Sequence, residues 1–236
     1  MKRMAILAGL AFGLYPSPSF SQGIGLSEVV VTAQRREADN YSADMPAIGL
    51  LRTADFVLQE VTITGDTRDK EGREAEIYDM IKGAIATAAH SGVQLAYGDH
   101  TVEPLTLQTY RSLTLQKDNR PESEKVSFLV KSPLSSTVDA RAAQIRITAF
   151  VKSVKPVGRA QIEQSDDVSL SVVAPDKYRG AIADQIALDA KAMAARLGDG
   201  YAVEIEGLNR PVEWARSSLS EVMLYIPYKL VIVPKR

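Results

Sequence analysis

The chain has 236 residues, with 28 Lys+Arg against 29 Asp+Glu for a net charge of −1, 45% hydrophobic residues, 24% charged residues and no cysteine. Those proportions exclude a wholly disordered polymer and a strongly basic nucleic-acid binder, and the length holds one large domain or two small ones with a real core. Without cysteine there is no disulfide, no thiol nucleophile and no lipid-modified cysteine.

Residues 1–22 have the three parts of a secretory signal. Lys2 and Arg3 lead, Ala5 to Tyr15 is an almost unbroken apolar run, and Ser19 and Ser21 flank Phe20. The apolar run is shorter than the roughly 20 residues that a helix needs to cross a bilayer. Cleavage is expected after Ser21. Loss of Lys2 and Arg3 leaves 26 basic against 29 acidic residues, a net charge of −3. The expected mature protein has no membrane span and resides in the periplasm, free or associated with the outer membrane.

Ser27 to Glu37 is a short β-branched run that ends in charge, and the chain stays polar through Asn40 to Asp44. Glu28, Val29, Val30, Val31 and Thr32 in this run resemble the TonB box of TonB-dependent outer-membrane receptors. That resemblance implies an extended segment that joins the sheet edge of a partner, TonB. The alternative is a flexible tail, or an extra strand of the domain that follows. Residues 22–53 are read as a flexible segment and 54–236 as the folded domain.

From Ala54 the pattern tightens. Phe56 to Ile63 reads as a strand ending at Gly65-Asp66. Asp69 caps a helix whose stripe is Ile77, Ile81, Ala84, Ile85 and Ala88, and Gly92 ends it. Short strands are expected at Val93–Tyr97 and Leu113–Gln116, then a polar turn over Asp118–Glu124. Val126, Phe128 and Val130 alternate with Ser127 and Lys131, a strand with one buried face. Ser136 and Asp139 precede a second helix with Ala143, Ile147, Phe150, Val151 and Val154 on one side, stopped by Pro156 and Gly158. Val168, Leu170 and Val172 alternate as another strand. Residues 56–116 and 124–173 share a strand-helix-strand order.

Tyr178, Ile182, Ile186, Ala190, Met193, Ala194 and Leu197 repeat at helical spacing, and Gly198-Asp199-Gly200 closes this third helix. The whole stripe is expected to be buried. Val203 and Ile205 suggest a strand, Leu208 to Ser220 a loop or irregular hairpin, and Val222 to Val233 one long final strand with Pro227 at an edge or bulge. The predicted fold class is α+β, a mainly antiparallel sheet with about three amphipathic helices packed on it.

The capped helix after Asp66, the alternating strand Val126 to Lys131 and the Ala187–Gly198 helix with its following strands together resemble the SIMPL domain. The similarity spans residues 54–234. It implies a non-enzymatic protein of the cell envelope that works by self-association as a homo-oligomer, or by binding envelope proteins.

Residues for chemistry are sparse. His90 and His100 have no neighbouring metal-ligand pattern, so no metal site and no cofactor are expected. Asp99-His100 could orient a general base, the basis of a weaker alternative, an unrecognised hydrolase; no Gly-x-Ser-x-Gly elbow accompanies it. Asp166-Asp167 and the pair Glu204 and Glu206 suit a wet face as well as a cation. Gly198-Asp199-Gly200 follows a helix and opens none, which argues against a phosphate site. No catalytic residue is assigned. Arg210, Trp214 and Arg216 place the sole tryptophan between two arginines, a composition suited to a partner contact or to a core-capping aromatic with wet arginines.

Overall fold

Asp69 and Gly92 bound the longest helix. Asp69 keeps an extended backbone while its carboxylate accepts the Gly72 N–H at 2.7 Å, and Gly92 leaves the helix at φ 65°, a left-handed conformation that glycine adopts without penalty. This helix is α1 (Lys70–Ser91) of a computed structural model that describes residues 28–31, 46–99 and 101–235. Around it, in chain order, lie β1 (Glu28–Val31), β2 (Leu50–Thr53), β3 (Phe56–Gly65), β4 (Gln94–Tyr97), β5 (Glu103–Pro104), β6 (Gln116–Lys117), β7 (Glu124–Pro133), α2 (Ala140–Ser153), β8 (Gln161–Val173), α3 (Arg179–Leu197), β9 (Tyr201–Glu206), β10 (Glu213–Arg216), β11 (Glu221–Tyr225) and β12 (Lys229–Pro234). The strand pairs are antiparallel, and the protein is α+β.

The large sheet runs β1-β8-β3-β7-β4-β5, with β6 beside β7. Its centre is β3 against β7, aligned without a slip from Phe56↔Pro133 to Gly65↔Glu124. The two strand-helix-strand halves are interleaved. β4, at the end of the first half, pairs with β7 of the second, and β8 pairs with β3 of the first. Between Gln59 and Val61 the β3–β8 register slips, so Glu60 stands unpaired on that side and exposed.

Alternation sends Val57, Val61, Ile63, Val126, Phe128, Val130 and Leu170 to one face, where Ile77, Met80 and Ile81 of α1 and Ile147 and Phe150 of α2 cover them. Each such buried side chain contributes about 1.5–3 kcal/mol relative to an exposed one. Asp139 caps α2 by accepting the Ala142 N–H at 2.8 Å. Leu113–Gln116, predicted as a strand, is mostly irregular: a 3-10 turn over Tyr110–Ser112 precedes it and only Gln116 of that stretch enters a pair.

Described strands lie before Ala54, where the sequence places the start of the domain. β2 pairs with β11 in a small sheet, β10-β11-β2, and β1 joins the large one. Residues 22–53 are therefore not a free segment throughout, because Leu50–Thr53 and Glu28–Val31 find backbone partners. At the corner between the sheets Ala54 N–H donates to the Ser220 carbonyl and Asp55 N–H to the Ser171 carbonyl, while the Asp55 carboxylate accepts the Val173 N–H at 2.7 Å.

Two expectations are corrected. The final strand is not continuous: β11 and β12 belong to different sheets, separated by Ile226-Pro227-Tyr228, with Ile226 and Pro227 buried. Proline has no N–H for a ladder, and the chain uses it to change sheets. The third helical stripe is only half covered. Ile182, Ile186 and Ala190 are buried, but Met193 is 41% and Leu197 51% exposed, because the layer over α3 ends before the helix does.

Candidate functional site

The N-terminal contact residues divide by position. Glu28–Val31 forms β1 on the edge of β8, with Glu28 opposite Val173 and Val31 opposite Leu170. Thr32 and the predicted leader, residues 1–21, lie outside the described residues. The Glu28 side chain is buried and both carboxylate oxygens are engaged: one accepts the Ser171 hydroxyl at 2.5 Å and the other pairs with the Lys131 ammonium. Lys131 also lies 4.3 Å from the centre of the Phe56 ring. Lys131 faces Leu58 and Gln94 in the register, so it lies on the sheet face away from the α1–α2 core.

Beside this pair opens a cleft of about 370 Å³ between the end of α1, the β4–β5 pair and the Glu28 end of β1. Ile85, Ala88, Leu95, Val102 and Leu105 supply most of its apolar wall, and Glu28, Glu103 and Lys131 its charged members. The Val102 N–H donates to the Glu28 carbonyl at 3.3 Å, so the loop before β5 holds β1 from the other side. Glu28 and Lys131 neutralise one another there, and what this arrangement does chemically is fasten a strand. Lys131 and Ser171 were not legible as partners of Glu28. In sequence Lys131 sits on the polar phase of an alternating strand, which normally marks water, and nothing local announces its burial.

Arg210, Trp214 and Arg216 are less of a loop than their sequence suggests. Trp214 and Arg216 lie in β10, opposite Leu224 and Val222 of β11. Trp214 is half-buried and packs against the core. The Arg216 guanidinium donates to three carbonyls, Val168 at 2.7 Å, Ser218 at 2.9 Å and Leu219 at 3.4 Å, and burial lowers its pKa. Arg210 is exposed and borders an open groove with Glu206, Glu213, Tyr228 and Lys229. Its carbonyl and that of Leu208 accept from Arg179, which ties this turn to the start of α3. β10 touches β1 across the boundary between their two sheets.

A third surface was missed. The end of α3 and the start of β9 leave Met193, Leu197 and Tyr201 between 41% and 51% exposed, and Leu188 is 69% exposed on the opposite side of the helix. Below them, among the described residues, β9 pairs only with β12. Helical periodicity identified the stripe to which Met193 and Leu197 belong but carries no information on how far a covering layer extends.

Among the described residues no cluster of three or more His, Cys, Asp and Glu side chains comes together to hold a metal ion, and no helix is long and apolar enough to cross a membrane. Asp99 is exposed in a bend; His100 lies outside the described residues. No family model matches the chain, and no curated protein or solved structure matches it either.

Proposed function

We propose that the chain is an exported, non-enzymatic protein of the cell envelope that works by association with copies of itself or with other envelope proteins. The observation that carries this reading is the bare end of the α3 stripe, where Met193 and Leu197 continue the buried face of Ile182, Ile186 and Ala190 into solvent beside the exposed Tyr201 of β9. The secretory leader and the similarity to the SIMPL domain support the compartment and the absence of an assigned catalytic group. The test is release by osmotic shock with a shortened N-terminus, followed by chemical cross-linking in intact cells. A chain retained in the cytoplasm rejects the location, and one that cross-links to nothing rejects the association.

A second reading rests on β1. Glu28–Val31 is already extended and seated at a sheet edge, the conformation in which a TonB-box segment joins a partner strand. Under this reading the chain binds the C-terminal domain of TonB, and deletion of residues 28–34 abolishes binding. Absence of binding by the intact chain rejects it.

A further inference from the structure

We propose that β12 is the edge on which two copies of this chain pair, antiparallel about a two-fold axis at Val231, so that two ribbons become one four-stranded sheet. This rests on the association proposed above and names its partner and its contact.

The ribbon β9–β12 has two strands and no more among the described residues. Two strands alone are marginal in water, and the outer edge of each presents unpaired N–H and C=O groups that template further pairing. Proteins normally protect such edges with charge. β9 is protected: Glu204 and Glu206 are two residues apart, hence on one face, and an antiparallel β9–β9 pair would gather four carboxylates on that face. β12 is not. Leu230, Val231, Ile232 and Val233 carry no charge, and all four are only half-buried.

Charge and proline select the register. With Val231 on the axis, Leu230 faces Ile232 of the second copy and Lys229 faces Val233, a ladder of five residues from each chain that leaves Pro234 outside. An axis at Ile232 would set Lys229 against Lys235, like charges directly opposed. An axis between Val231 and Ile232 would bring Pro234, with no N–H, into the ladder opposite Lys229. The Val231 register avoids both faults, and a two-fold axis closes the assembly at two chains.

The apolar row continues this edge. Tyr201 is opposite Pro234 in the β9–β12 register, and the Lys235 N–H donates to the Gly200 carbonyl at 2.7 Å, so Leu197 and Tyr201 stand at the end of the ribbon. A copy paired on β12 brings its own ribbon end toward the partner molecule, with apolar side chains to cover.

The natural absence of cysteine makes the test direct. Cross-strand Cα atoms lie roughly 4.5–5.5 Å apart, within the roughly 4.4–6.8 Å that a disulfide spans. The full chain, expressed with its leader and purified, is expected to have twice the mass of one chain in solution. Val231→Cys should form a reducible covalent dimer under mild oxidation, about tenfold more than Glu204→Cys on the opposite edge. Equal cross-linking at both positions overturns the edge assignment. A double mass with no cross-linking at Val231→Cys overturns the pairing and leaves association through another face. A monomer overturns the pairing, and the cross-linking in intact cells described above then decides separately whether association with other envelope proteins survives.

Discussion

Glu28 and Lys131 are 103 residues apart in sequence and share one buried ion pair, which the Ser171 hydroxyl completes. The pair fixes β1 on the large sheet through charges withdrawn from water, and this makes its two members unequal to their sum. Removing one partner strands the other, at a cost of about 3–5 kcal/mol, whereas replacing both by apolar groups is often close to neutral. Urea unfolding should therefore show Glu28→Leu and Lys131→Met each destabilising by about 3 kcal/mol and the double variant by less than either. Additive losses would contradict this account of β1.

Gly98 is held at φ 115°, and a Cβ there would lie 2.2 Å from the Thr101 carbonyl oxygen, a backbone atom that cannot turn aside. Gly98→Ala is expected to cost about 2 kcal/mol or more, read as a lower denaturation midpoint with an unchanged slope. An unchanged midpoint would mean that the turn after β4 relaxes freely.

Arg216 distinguishes a structural from a contact role. Its donors are occupied by the carbonyls of Val168, Ser218 and Leu219. Lysine keeps the charge but not the planar fork, so Arg216→Lys should lower stability by about 1 kcal/mol. If stability is untouched, the side chain is free for a partner, as its sequence context suggests.

Asp66 accepts both arms of the Arg159 guanidinium, at 2.7 and 3.0 Å, and that hydrogen bonding holds its pKa below the ordinary aspartate value. Because the folded chain favours the ionised form, this contribution to stability is present above the unfolded aspartate pKa of about 3.9 and fades as pH falls through the lowered folded value. In a carboxyl NMR titration Asp66 should have a depressed midpoint that moves back up in Arg159→Met. An identical midpoint in both proteins would remove the pairing in solution.

Local signals were legible where one residue decides a local geometry. Asp69, Asp139 and Gly92 end their helices as their types dictate, and the alternation of Val126, Phe128 and Val130 identifies the covered face of β7. Failures arise where the deciding partner is distant. Val222–Val233 is apolar enough to read as one strand. Its break is decided by Pro227, whose carbonyl approaches Gly207 so closely that a Cβ at Gly207 would lie 2.6 Å from it. Ser136 reads as well as Asp139 for a cap, yet only the Asp139 carboxylate meets the helix. Of the candidate site, the sequence marks Glu28 as a partner contact, whereas its carboxylate is engaged by Lys131 and Ser171 of the same chain, and both that pairing and the bare end of α3 depend on what the rest of the chain brings near them.

The crossing of the two halves bears on how the molecule can come apart. β4 and β8 each complete a neighbour that the other half supplies, so a cut in the exposed turn at residues 119–122 leaves two fragments, each with an unfinished sheet. Such fragments would be poor folders in isolation and good reporters when mixed, a split pair whose recovery of structure measures mutual templating.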